Sequence, residues 1–424
     1  MEISSHPLPI FQTPAARPRD PTLDTLRGLS IVWVIFVHCL YWFPHLAHGW
    51  PALFKSFFLL EMPLIFFLAG WSNALARRRS LREFYLNRLQ RIFIPYVLYA
   101  AICLGVVVLT GNALGFGEPH ASPVRALLWQ FLLPFSVSGF SVAGDCRLLF
   151  LWWAVWFVPI YLLVVCAFPL LHSLCRRGRK NTLRLLGVLL FANFLLLFVT
   201  DKTVSPLALY LVKNFCFYSF WMTLGVAFQT HWNKEEISDE ARIASREKRA
   251  RKIACRVAGV SFAFLAFVCF FDLQKMELRP KFFPYALDMQ GNKFPPNFIF
   301  LAYSLGVFSL FFCARSKILK FLNFLRSCGT LKIFDFLFRS YIKNGYAIVL
   351  FHPFAFVLLY VFIYNFGNVP TRLARGGLIL DFVFVFVVSA LLGMAFGWCE
   401  KIRLFRTAGD KTPRHSAQEK GGTQ

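Results

Sequence analysis

Ten apolar blocks of roughly bilayer-spanning length dominate this sequence. They run approximately over 28–46, 55–75, 92–110, 149–172, 182–200, 206–230, 255–272, 297–314, 345–365 and 376–398. A helix needs about 20 apolar residues to cross a hydrocarbon layer of about 30 Å. In lipid, every backbone polar group must also be satisfied within the protein, which a helix does alone. The pattern therefore predicts an all-α integral membrane protein with about ten transmembrane helices. A further apolar stretch, 126–135, is too short to cross and contains Pro134. It reads as interfacial or re-entrant.

Composition agrees with this class. The 424 residues are 57% hydrophobic and only 16% charged, too apolar for a soluble surface. The formal net charge is +25, which in a soluble chain would suggest nucleic acid. Here the cations sit in short segments between apolar blocks. Of 46 Lys and Arg residues, 35 fall in alternate segments: 1–27, 76–91, 173–184, 231–256, 315–344 and the tail from 399. The positive-inside rule makes those segments cytoplasmic, so both termini are expected in the cytoplasm and no nucleic-acid partner is implied. The loop 273–296 fits least well, because an outer segment would then carry Lys275, Arg279, Lys281 and Lys293.

The domain reading follows. Residues 1–22 hold five prolines and no apolar core, so they read as a cytoplasmic segment without a signal peptide. Residues 23–400 form the ten-helix domain, and 401–424 a polar, disordered tail. The charged stretch 231–256 reads as a solvated helical linker. Eleven cysteines occur without a CxxC pair, most of them inside apolar blocks. They read as packing residues, and no metal site is expected.

Candidate chemistry starts in DTLRGLSIVWVIFVH, residues 24–38. Eleven helical steps of about 100° bring His38 back onto the face of Arg27, about 16 Å along the axis. Arg27 then lies at the cytoplasmic boundary and His38 near mid-membrane. An ionisable residue at that depth is costly and marks function by default, although a helix-bridging structural His is the plainer alternative. Glu61 immediately precedes MPLIFFLAGW (62–71) in the second block. It orients His38 if the first two helices pack antiparallel, or it is solvated at the outer interface. Arg88 and Arg91 share a helical face in RLQRIFIP, a spacing suited to gripping phosphate. His352 lies within YAIVLFHPF. Trp152, Trp153 and Trp156 form an interfacial belt or part of a substrate groove.

Taken together, these segments resemble the acyltransferase-3 family. DTLRGLSIVWVIFVH, MPLIFFLAGW, RLQRIFIP, WFVPIYLL at 156–163 and YAIVLFHPF at 346–354 occur in the family's order, across roughly 20–365. Ala69 stands where the family carries a small polar residue, and Trp71 follows Gly70. The resemblance implies an integral-membrane O-acyltransferase that moves an acyl group, most often acetyl, from acyl-CoA to a hydroxyl of a sugar, glycan or lipid-linked acceptor. It needs no bound cofactor and sits as a multi-pass protein in the inner (cytoplasmic) membrane. On this reading His38 and Glu61 are catalytic. Arg27, Arg88 and Arg91 bind the donor. Trp156, Tyr346 and His352 line the acceptor site or channel. A transporter or flippase is the competing reading, but it has no need of a cytoplasmic RxxR below an R-x10-H helix.

Overall fold

Helix α1 (Pro21–Trp42) begins where the proline-rich segment ends. Pro21 fits the first position because its missing N–H would be unpaired there anyway. Asp24 places a carboxylate in the first turn, at the positive end of the helix dipole. A mostly apolar run, interrupted by Arg27, Ser30 and His38, then carries the helix to Trp42.

The computed structural model describes residues 21–43, 55–75, 80–110, 155–199, 205–232, 240–270, 289–327, 332–362 and 377–405. After α1 come α2 (Glu61–Leu75), α3 (Leu81–Thr110), α4 (Phe157–Arg176), α5 (Arg179–Leu195) and α6 (Pro206–Ala227). A short π-helical turn, Phe228–Trp232, extends α6. Then follow α7 (Glu240–Phe270), the short α8 (Met289–Lys293), α9 (Phe298–Ser327), α10 (Lys332–Lys343), α11 (Gly345–Phe362) and α12 (Gly377–Phe396), which ends in a 3-10 turn. Regular structure among the described residues is helical. The expected N-terminal segment, the stretch 126–135 and the tail beyond 405 lie outside them.

Each of the ten apolar blocks carries a helix, but the helices are unequal. Six are long and apolar enough to cross a bilayer: α1, α4, α6, α7, α9 and α12. Helices α10 and α11 meet at 113° and together make a seventh, bent candidate. Helix α2 has only 15 residues and α5 only 17, the latter opening on Arg179 and Lys180. Helix α10 is amphipathic. Leu337, Phe338 and Tyr341 are buried on one side, while Ile333, Phe336 and Arg339 face out.

Helix α1 is central and packs against α2, α10, α11 and α12. Helices α1 and α2 run antiparallel. The Trp33 indole donates to the Phe58 carbonyl just before α2, at 2.8 Å. Arg27, at the start of α1, donates to Ser72 at the far end of α2. Helix α2 is locked in turn against α6 by two glycines. A Cβ on Gly70 would strike the Met222 carbonyl, and one on Gly225 would strike the Phe67 carbonyl. Only backbone-to-backbone packing fits at this crossing.

The segment leading into α9 folds inward. Asn297 caps α9, its side-chain oxygen accepting from the Ile299 and Phe300 amides at 3.1 Å each. The Met289 amide donates to the Ser56 hydroxyl at 3.0 Å, and Tyr303 donates to the Ser56 carbonyl at 2.6 Å. These contacts fix α8 and the start of α9 against the residues that precede α2.

Candidate active site

Two cavities lie along α1, one beside each end of its polar face. The first is a chamber of about 210 Å3 at the Arg27 end. Arg27, Arg88, Arg91 and Lys343 bring four cationic side chains to its wall, with Ser72, Tyr346 and Glu400. The sequence spacing accounts for three of these. Arg27 faces the same way as His38 on α1, and Arg88 and Arg91 are one turn apart on α3. Arg27 is also held by Asp24 at 3.4 Å, which aims the guanidinium. Glu400 is buried, and its carboxylate accepts from the Ala347 amide at 2.8 Å, capping the first turn of α11. Tyr346 donates to the Ile92 carbonyl at 3.0 Å, tying α11 to α3.

The second cavity is small, about 30 Å3, and lies toward the C-terminal end of α1. Its wall includes His38, Glu61, Trp156, Lys293, Phe157 and Val349. Phe157 and Val349 also line the arginine chamber, so these two side chains stand between the two spaces.

His38 is fixed by its neighbours. Its ring stacks on Trp42, with centroids 4.5 Å apart and planes 14° apart. Its Nδ1 lies 2.8 Å from Nε2 of His352, which is fully buried on α11. These two rings are 15° from parallel with centroids 4.8 Å apart. Combined with the short N–N distance, this is a hydrogen bond in the ring plane rather than a face stack.

Hydrogen-bond chemistry then assigns the protons. Nδ1 of His352 lies 2.8 Å from the Val349 carbonyl, which can only accept. His352 Nδ1 therefore carries hydrogen. In the neutral ring its Nε2 is then a lone pair, which accepts from Nδ1–H of His38. The remaining nitrogen of His38, Nε2, is left with a lone pair. The anchor of this chain has a sequence cause. Pro353 has no N–H, so the Val349 carbonyl four residues earlier loses its helical donor. The His352 side chain takes that place.

Glu61 does not reach His38. Lys293 donates to its Oε1, and both side chains are buried. The ammonium also lies over the rings of Phe294 and Trp156, 5.2 and 5.9 Å from their centroids. Of the residues expected to line an acceptor route, Trp156 faces the small cavity, Tyr346 the arginine chamber, and His352 stands behind His38. Sequence reasoning passed over Lys293, Lys343 and Glu400. Lys293 did leave a signal, since it sits in the segment that fitted the charge topology least. Among the described residues no cluster of three metal-ligating side chains occurs.

Among the described residues, the protein is a helical bundle with helices apolar enough to cross a membrane, and it carries a cationic chamber beside a histidine with a free lone pair, the features of a multi-pass membrane protein with a candidate group-transfer site. The chain belongs to the acyltransferase-3 family: the family model for the acyltransferase domain matches residues 20–398. It is thus a membrane acyltransferase. No curated protein and no solved structure shows a match to the chain.

Proposed function

We propose that this acyltransferase moves a short acyl group, most simply acetyl, from acyl-CoA to a hydroxyl of a sugar, glycan or lipid-linked acceptor. The observation that carries the reading is the bare Nε2 of His38, facing a cavity that abuts an arginine-lined chamber. CoA carries phosphates, and paired guanidiniums hold phosphate with charge-assisted forked contacts. Arg27, Arg88 and Arg91 fill that role, with Lys343 beside them. The thioester then reaches the divide at Phe157 and Val349.

An alcohol attacks poorly until its proton is removed. His38 Nε2 takes that proton as the hydroxyl oxygen bonds to the thioester carbonyl carbon. His352 holds the tautomer that keeps Nε2 free, and it accepts the Nδ1 hydrogen throughout. Collapse of the tetrahedral intermediate breaks the C–S bond, and the departing thiolate takes the proton back from His38 as CoA–SH.

The topology that fits this chemistry has ten membrane helices, both termini in the cytoplasm, and the arginine chamber open to cytoplasmic CoA. The skew of 35 of 46 basic residues supports it, and the proposed residence is the cytoplasmic membrane. Membership of the family leaves the transporter reading without support. The test is thiol release from acetyl-CoA by the purified protein in lipid nanodiscs, paired with mass spectrometry of envelope glycans from a deletion strain. Release of CoA–SH and loss of one acyl mass from a glycan are expected. Intact acetyl-CoA and unchanged glycans would refute the reading.

A further inference from the structure

The Glu61–Lys293 pair has no part in the proton transfer just described, and its geometry is incomplete. Glu61 is 2% exposed and Lys293 5% exposed. Removing two charges from water costs several kcal/mol per ion, and a pair kept only for structure recovers that cost by satisfying every oxygen and hydrogen. Here Lys293 serves Glu61 Oε1, while Oε2 is buried with no hydrogen-bond partner. An unmet buried carboxylate oxygen is an acceptor waiting for a donor. Both residues line the cavity that holds His38.

The size of that cavity limits what the donor is. Its volume is about 30 Å3, and one hydroxyl-sized group occupies about 10–15 Å3 of such space. Two oxygen-bearing groups fit. One is the reacting hydroxyl beside His38 Nε2. The second lies where Glu61 Oε2 accepts from it and the Lys293 ammonium donates to it, a pairing that only a group with both a hydrogen and a lone pair satisfies. A hydroxyl is such a group.

We infer that the Glu61–Lys293 pair reads a second hydroxyl adjacent to the one that is acylated, so that the enzyme selects diols over simple alcohols. The inference rests on the acyl-transfer reading above and adds its specificity determinant. It also gives Lys293 a purpose: α8 is pinned to Ser56 so that this ammonium is held against the cavity.

The test uses the full chain in nanodiscs with acetyl-CoA and two surrogate acceptors that differ by one hydroxyl, 1,2-propanediol and 1-propanol. Ester products are measured by mass spectrometry as a ratio within each variant, which cancels differences in folded amount. The wild type is expected to favour the diol by about ten- to a hundredfold, the value of hydrogen bonds to charged groups. The double variant Glu61→Leu with Lys293→Met replaces the pair by apolar side chains of similar size and leaves no buried charge. Its ratio should fall close to one, and Glu61→Gln should give an intermediate ratio. A wild-type ratio near one overturns the inference, as does a diol preference that survives in Glu61→Gln and the double variant. Absence of CoA release with either alcohol refutes acyl transfer itself, and the inference with it.

Discussion

His38 and His352, 314 residues apart in sequence, share a 2.8 Å hydrogen bond in which His352 is the acceptor. The direction follows from the Val349 carbonyl behind His352, and it leaves His38 Nε2 as the basic atom of the pair. The catalytic reading can therefore be tested at each link of the chain.

The first link is His38. His38→Ala and His38→Gln should each lower turnover by about 10²–10⁴, the usual value of a general base, with the amount of folded protein unchanged. Wild-type activity should fall on the acidic side, because only the neutral ring accepts a proton. Near-normal turnover per folded His38→Gln molecule would remove the residue from the chemistry.

At the far end of the chain is Pro353. Pro353→Ala returns an N–H to the Val349 carbonyl, in competition with His352. A proline removed from a helix interior should raise stability, by up to about 3 kcal/mol. Turnover should nevertheless fall about tenfold, the worth of one hydrogen bond of about 1.4 kcal/mol, with KM for acyl-CoA unchanged. A more stable variant with wild-type kcat would show that the carbonyl does not set the tautomer.

The proposed donor site draws on α3. Arg88→Ala and Arg91→Ala should each weaken acyl-CoA binding about ten- to a hundredfold, as charge-assisted contacts do. Lysine should rescue poorly, since a point charge lacks the guanidinium fork. Unaltered affinity in a direct CoA-binding measurement on both variants would take these residues out of the site.

The glycine crossing makes a prediction about stability alone. Gly70→Ala and Gly225→Ala force a methyl group into facing backbone, and overpacking of this kind costs about 1–3 kcal/mol or more. Both should lower the melting temperature in detergent. Substitution of Gly105, which meets nothing within 4 Å, should not. Equal melting of all three would mean that α2 and α6 are not in close contact.

Topology is checked by cysteine labelling. Introduced cysteines in 240–254 should react from the cytoplasmic side only, and one replacing Gly291 beside Lys293 from the opposite side only. Labelling of both positions from one side would break the ten-helix arrangement.

Much of this was legible in the chain. Arg27 and His38 share a face because eleven helical steps close three turns, and helix geometry alone yields that. Arg88 and Arg91 share a face of α3 for the same reason, but that face meets Arg27 only through the packing of the fold. Helix existence was legible from the apolar blocks, but helix length was not. Helix α2 begins only at Glu61, and the α10–α11 bend of 113° falls inside what charge patterning treated as one loop. The partners of the buried polar groups were hidden because they are non-local. Nothing near Glu61 announces Lys293, which lies 232 residues away. The HisPro dipeptide was readable in principle, since any helical proline frees the carbonyl four residues before it. The identity of the group that fills the gap comes only with the fold.

The two cavities differ in electrical character, and this separates two stages of catalysis by their response to salt. Arg27, Arg88, Arg91 and Lys343 line an open chamber in which they outnumber Glu400. Added electrolyte, with a screening length of about 8 Å at physiological ionic strength, weakens capture of a polyanion there. Around His38, by contrast, Glu61 and Lys293 cancel and the imidazole chain ends on an uncharged carbonyl. Dissolved ions have almost nothing to act on in that enclosed space. Raising the ionic strength should therefore increase the acyl-CoA concentration needed for half-saturation while leaving the saturated rate nearly constant.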